Sequence, residues 1–405
     1  MWKDRRHVLT AGGLGIAATM LGLRLPTFAA EPFRVGALNP VTGAGAPYGG
    51  TMQKAILFSA EEVNAAGGAA GRTLEILAED SQTSPEAGVL AVKKLIEVNK
   101  VNAIVGTWAS AVVMAVGPII DNAGLIHMTN AGTSLLPTID KKHLIYRYSA
   151  TSLRVGEVLG KALLKDSLTK VATMAINNPS GLEVAQGAKE VIEGAGHKLV
   201  GEVVYEPNRP SYRSELQKVL IGNPQIIVMG SFLPDMTVVV REARQMGSDV
   251  RFIGPAWAAN PQLIASLGAE ATEGMLTADY VSALDSAAFK HFKTRFMEVV
   301  GSDPTENYFA ACAYDMVQVL ALGIEAAGAS ADTPAIANAF TRIANPPGKA
   351  VSSFAEGKKL LAAGEKINYE GASGPIDFDE KRDVKAAFKL SVFRNGKVEF
   401  LHVIS

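Results

Sequence analysis

The sequence predicts an α/β protein with a parallel, doubly wound sheet in each of two domains. Three observations carry this. Short apolar runs of strand length alternate with helix-length amphipathic stretches from residue 33 onward. The same alternation starts afresh after residue 150, without internal repetition of sequence. The chain has 405 residues and is 48% hydrophobic, enough to fill a large core shared between two domains.

Taken in order, residues 33–38 read as the first strand. A Gly-rich loop, NPVTGAGAPYGG, leads into a helix over about 51–65, closed by Gly67-Gly68 where a left-handed cap is wanted. Residues 73–80 form the second strand, and Ser84-Pro85 starts a second helix, with an N-cap residue followed by proline at the first helical position. The stretch 104–134, IVGTWASAVVMAVGPIIDNAGLIHMTNAGTS, reads as strand, loop, helix, strand and loop. Its two loops are built of small and hydroxyl residues. They lie at the C-terminal ends of neighbouring parallel strands, where open α/β sheets bind ligands. Bare backbone N–H groups and hydroxyls there suit an anion such as a carboxylate.

A strand over 144–148 ends this set. The second set has strands at about 170–176, 198–205, 225–229 and 251–253, with helices at 153–165, 182–195, 211–220 and 236–246 between them. A strand at 275–280 and helices near 286–300, 307–327 and 334–343 follow. Residues 345–374 are rich in Gly, Pro, Lys and Ser and read as irregular. Strands are expected at 376–379, 387–393 and 398–403, the last two joined by an Asn395-Gly396 hairpin turn. Helices after the second set, followed by terminal strands, imply that the chain recrosses between the domains.

Composition excludes several classes. The net charge is −1, so no basic face argues for nucleic acid. A lone cysteine, Cys312, excludes a disulfide framework or a Cys-rich metal site and reads as a buried small hydrophobe. No G-x-S-x-G elbow, H-E-x-x-H pair or Cys/His cluster occurs, so neither a catalytic site nor a metal site is expected. Gly43, Gly45 and Gly49 after the first strand, with Glu79-Asp80 ending the second, resemble a dinucleotide fingerprint. Their spacing is GxGxxxG, however, and Pro47 and Tyr48 put bulk where a pyrophosphate needs bare backbone. No cofactor is therefore expected.

Residues 1–29 read as a cleaved export signal. Lys3, Arg5 and Arg6 precede an apolar run over 11–23 that is too short to span a bilayer, and the cut falls near Ala29 or Ala30. Adjacent Arg5-Arg6 followed by Val8-Leu9 resembles a twin-arginine signal. Its removal leaves a mildly acidic chain, expected in the periplasm.

Several segments together resemble the solute-binding proteins of branched-chain amino acid type ABC transporters. They are VGALNPVTGAGAPYGG, EEVNAAGGAAGRTLEILAED, IVGTWAS, Asn130-Ala131-Gly132-Thr133, Phe252-Ile253-Gly254-Pro255 and YEGASGPIDFD over 369–379. The resemblance implies a type I periplasmic binding protein, with two Rossmann-like lobes joined by three crossovers and closing on a ligand as a clamp. It implies lobe 1 over 30–148 plus about 280–385, and lobe 2 over 149–279 plus about 386–405. Ser110 corresponds to the family serine that bonds a ligand carboxylate, with Ala109 beside it contributing backbone. Ala131, Gly132 and Thr133 match the second carboxylate-holding loop, and Tyr48 falls where an aromatic of the first loop covers the ligand.

The second lobe departs from the family pattern. Ser180 stands where amino acid binders usually carry tyrosine, and Phe232 takes the place of a family aromatic. The acidic residue expected after Gly254-Pro255 is replaced by Ala256, followed by Trp257. That carboxylate would pair with a ligand ammonium. Asp235 or Asp279 could replace it, although Asp235 is more simply a helix cap. With Trp108, Phe232, Trp257 and Tyr48 opposite the carboxylate end, the implied ligand is an organic or aromatic acid lacking an α-ammonium. A branched-chain or other amino acid is the alternative. The implied partners are such a carboxylate and ABC permease subunits, with the protein itself a monomer. A ligand sensor reporting to a signalling partner, and an exported dinucleotide-dependent enzyme, are the other roles the chain allows.

Overall fold

The computed structural model describes residues 31–404. The export signal expected over 1–29, with its twin-arginine motif and cleavage site, lies outside the described residues. Two mostly parallel sheets organise the chain. The first holds β1 (Phe33–Asn39), β2 (Leu74–Asp80), β3 (Ala103–Gly106), β4 (Ile126–Thr129) and β5 (Ile145–Arg147), in the order β2-β1-β3-β4-β5, all parallel. β3, β4 and β5 are buried along their whole length, as expected for strands covered on both faces.

The chain then crosses to a second sheet. It contributes β6 (Val171–Ile176), β7 (Gly201–Tyr205), β8 (Ile226–Gly230), β9 (Arg251–Pro255) and β10 (Leu276–Val281) before returning. Helices Ala287–Val300 and Tyr308–Ala327 pack on the first-sheet helix Ala46–Ala65. Tyr308–Ala327 is apolar and long enough to span a membrane, but 89% of its apolar window is buried, which makes it a core helix. A small parallel pair, β11 (Lys349–Val351) and β12 (Ile367–Tyr369), follows. The last crossover brings β13 (Ala387–Arg394) and β14 (Lys397–Ile404) back as antiparallel strands, giving the order β14-β13-β10-β9-β8-β6-β7. The fold is therefore α/β with two lobes, and the chain passes between the sheets three times.

Each sheet has one point where strand order reverses: between β1 and β3 in the first, and between β6 and β8 in the second. Ligands of open α/β sheets bind outside the strand ends at such points.

Three expectations need correction. The first helix starts at Ala46 rather than Thr51, because Pro47 fits the first helical turn, where its missing N–H costs nothing. Tyr48 is thus a helical residue and not a loop residue. Residues 376–379 form no strand; Asn345 holds Phe378 instead, its Nδ2 donating to the Phe378 carbonyl and its Oδ1 accepting the Phe378 N–H. Residues 345–374 are not irregular throughout. They contain β11, β12 and the helix Phe354–Ala362, whose Ser353 cap accepts from Glu356 N–H. The buried Asp315 carboxylate holds the segment after β12, accepting from Tyr369 Oη, Ala372 N, Ser373 N and Ser373 Oγ. Its burial, partly offset by those donors, raises Asp315 to about 6.

Candidate functional site

The loops at the two reversal points face each other across the cleft. On the first-sheet side, β3 ends at Gly106 and Thr107 follows it, both left-handed, with φ of 99° and 56°. A β-branched residue rarely adopts that conformation. Thr107 is held there by its N–H to Leu38 O (2.6 Å) and by Thr129 Oγ1 donating to its carbonyl (2.5 Å). The turn aims Trp108 and Ser110 into the cleft. Ser110 opens the helix Ser110–Ala123, whose N-cap Ala109 supplies no side-chain cap, so the first N–H groups have no partner within the helix.

Two other helices begin at the same place. Ser152 is the first residue of Ser152–Lys165, and Ser180 the second of Pro179–Gly194; their hydroxyls lie 3.1 Å apart. Phe232 is the N-cap of a fourth helix, Leu233–Gln245. One cavity is lined by Trp108, Ala109, Ser110, Asn130, Gly132, Ser152, Ser180, Phe232, Trp257, Tyr280 and Phe309. Not one of these side chains is charged. The Asn130 Oδ1 is buried without a hydrogen-bond partner. Several helix N-termini, each carrying partial positive charge, with three hydroxyls among them, suit an anion. The opposite wall is aromatic. Trp108 meets Phe232 across the cleft at 5.5 Å between ring centroids, Phe309 stands edge-on to Trp108 at 5.7 Å, and Trp257 stacks with Tyr280 at 6.4 Å.

The structure thus gathers seven of the expected site residues: Trp108, Ala109, Ser110, Gly132, Ser180, Phe232 and Trp257. It leaves four off the cavity wall. The Thr133 hydroxyl donates to Glu183 Oε1 at 2.8 Å and accepts from Leu135 N–H, while Ser134 N–H and Oγ also reach Glu183. A carboxylate does occupy the second loop, but it is the protein's own, from the helix across the cleft. Ala131 turns into a small apolar cluster with Val113, Leu136 and Ile145. Tyr48 stacks behind Trp108 at 5.6 Å, and its hydroxyl donates to Ala256 O at 3.3 Å, so both stand on a partition behind the cavity. Neither substitute carboxylate reaches it. Asp235, the third residue of its helix and not its cap, accepts from Tyr212 Oη and Asn208 N–H, and Asp279 lies beyond Tyr48.

Sequence reasoning missed Asn130, Ser152, Tyr280 and Phe309. Ser152 had a usable signal, since Thr151-Ser152 opens a helix directly after a strand. Tyr280 and Phe309 come from elements distant in sequence and carried no local signal. The dinucleotide reading loses its residues. Cβ atoms at Gly43 and Gly49 would lie 2.2 Å from Gln82 O and 2.0 Å from Pro40 O, so these glycines serve close packing of the chain on itself. The Asp80 carboxylate is taken by Thr42 and Gln82.

Two α/β lobes facing a cleft with an anion end and an aromatic wall define a clamp-type binding protein. The family profile described as periplasmic binding protein matches residues 32–394. The chain is 27% identical over 374 residues to a leucine-, isoleucine-, valine-, threonine- and alanine-binding protein of Pseudomonas aeruginosa, covering 91% of each. Its fold superposes on a leucine-binding protein of Thermotoga maritima with a TM-score of 0.78 at 23% identity, covering 92% of this chain and 98% of that one. A solute-binding protein of an ABC transporter from Rhodopseudomonas palustris, solved with 3,4-dihydroxybenzoic acid, superposes with a TM-score of 0.73 at 22% identity, covering 92% and 97%. The chain belongs to the periplasmic binding protein family. Within it, the fold and relatives are those of the type I, branched-chain amino acid kind, the solute-binding proteins of ABC transporters.

Proposed function

We propose that this is an exported, monomeric, non-enzymatic binding protein that clamps a small carboxylate lacking an α-ammonium, an aromatic acid above all, and delivers it to ABC permease subunits. The observation that carries the reading is the convergence of Ser110, Ser152 and Ser180, each in the first turn of a long helix, on a cavity without a charged side chain. A carboxylate there is met by helix N-termini and hydroxyls from both lobes. An α-ammonium would be buried without a carboxylate partner, at a cost of several kcal/mol. The benzoic-acid ligand of the Rhodopseudomonas palustris protein is of this class.

The cavity as it stands has only about 20 Å³ of free volume, room for about one water. A ring therefore enters with the lobes apart and takes the place now filled by the contact of Trp108 with Phe232. Closure on the ligand follows from the contacts it makes with both lobes at once.

Calorimetric titration with benzoate, 4-methylpentanoate and leucine tests the reading. Benzoate is expected to bind and leucine not. Tight leucine binding, with neither benzoate nor 4-methylpentanoate bound, would support the amino acid role that the name of the Pseudomonas relative carries and sink this one.

A further inference from the structure

A second cavity lies beyond Tyr48, and the clamp mechanism makes no use of it. It offers about 500 Å³ of free volume. Its floor is one face of the antiparallel β10–β13 pair. Residues two apart on a strand share a face, and Thr277 and Asp279 stand opposite Ser391 and Lys389 in the register. Four polar side chains thus form a two-by-two patch beneath the cavity. Ile264 and Phe400 supply apolar walls, while Tyr48 and Glu306 reach it from the first lobe. Lys397, the first residue of β14, is exposed at its rim.

Two independent observations mark the patch as a ligand site. Thr277 lines the cavity and is only 3% exposed, and its buried hydroxyl has no hydrogen-bond partner among the described residues. A buried polar group of this kind is normally satisfied. The charges are also unevenly matched. Lys389 Nζ contacts Glu306 Oε2 at 2.5 Å but stands 3.8 Å from Asp279 Oδ2, beyond hydrogen-bond reach. Among the described residues Asp279 accepts only the Tyr280 N–H, on Oδ1. Burial raises Asp279 to about 7, against the lowering effect of Lys389.

We propose that this cavity is a second ligand site, taking a small organic ammonium whose cation sits between Asp279 Oδ2 and Thr277 Oγ1 and whose apolar body lies along Ile264 and Phe400. The ammonium supplies the donor that Thr277 lacks and the cation that Asp279 shares with Glu306. Because Tyr48 and Glu306 approach from one lobe and the floor from the other, an occupant bridges the lobes and favours the closed clamp. The proposal is independent of which acid the aromatic cavity holds.

Calorimetric titration of the purified protein with phenethylammonium chloride at about pH 8 tests it, since amine and Asp279 are then both charged. The uncharged 2-phenylethanol serves as the counterpart. Phenethylammonium is expected to bind with a Kd below about 1 mM. The alcohol, and the variants Asp279→Asn and Thr277→Val, should each weaken binding about tenfold or more. Ser110→Ala should leave it unchanged. No heat with the ammonium, equal affinity for the alcohol, or native-like affinity in either variant overturns the proposal. Loss of binding in Ser110→Ala also overturns it, by placing the amine in the aromatic cavity. Should Asp279→Asn fail to fold, the near-isosteric Thr277→Val carries the test. Failure of benzoate to bind would sink the carboxylate reading alone.

Discussion

Replacing Ser110 by alanine separates binding from folding at the anion end of the cleft. Ser110 is 3% exposed, yet its hydroxyl bonds to no other group among the described residues. The ligand-free protein therefore loses nothing but the hydroxyl itself, and its stability should stay within about 0.5 kcal/mol of wild type. A bound carboxylate loses one charge-assisted hydrogen bond, worth about 1.5–3 kcal/mol. At about 1.4 kcal/mol per factor of ten, that is roughly a 10- to 150-fold rise in Kd. Benzoate titration calorimetry and urea unfolding of the same preparations read the two quantities. An unchanged Kd would mean that the carboxylate does not sit at this helix start. A loss of stability of about 2 kcal/mol or more would mean that the hydroxyl is structural. Ser152→Ala is less decisive, because it also strips Ser180 of its hydroxyl partner.

Four further outcomes are expected. In Gly132→Ala the new Cβ would lie 2.4 Å from Ser152 Oγ, so the hydroxyl is driven from the pocket and benzoate binding weakens about tenfold; a wild-type titration curve would refute this. Glu183→Ala removes the carboxylate that joins Thr133 and Ser134 across the cleft, and small-angle scattering of the ligand-free protein should show a larger radius of gyration. Asp383→Asn leaves Arg147, 2% exposed and held bidentately at 2.8 and 2.5 Å, as an unpaired buried charge; urea unfolding should show a loss of about 3–5 kcal/mol. Asp279 is raised from 3.8 to about 7, so ionising it weighs against the folded state increasingly as pH climbs between those values. Asp279→Asn should therefore gain stability relative to wild type between about pH 5 and pH 8, by up to about 4 kcal/mol, and a pH-independent difference in urea midpoints would refute that.

The fold was legible because its signals are local. Pro85 after Ser84, Gly67 after the first helix and the Asn395-Gly396 turn each mark an element boundary within a few residues. The position of Ser110 was legible for the same reason, since the small-residue run 106–110 lies between a buried strand and a helix and so sits at that helix's start. What escaped was set by contacts between distant segments. Thr133 has the right chemistry for a ligand, but Glu183, fifty residues away, takes its hydroxyl. Tyr48 was expected over the ligand, and a bond to the Ala256 carbonyl turns it into a partition. Tyr280 comes from the last strand of the second sheet before the chain returns, and Phe309 reaches the cavity only because the chain then recrosses to the first lobe. The segment 345–374 misled because its Gly and Pro residues flank a short helix and two three-residue strands that composition alone averages away.

Under the proposed delivery to a permease, the hold of Glu183 on Thr133 and Ser134 bears on traffic at the membrane. A jaw that carries its own fastening can shut with no cargo inside. For a permease that recognises the shut form, empty carriers then compete with loaded ones for the same berth. Each tenfold rise in the empty shut population lowers by about 1.4 kcal/mol the work that cargo must supply to close the jaw. By the same amount it erodes the permease's ability to tell a full carrier from an idle one. High affinity and low idling therefore pull on this one carboxylate in opposite directions.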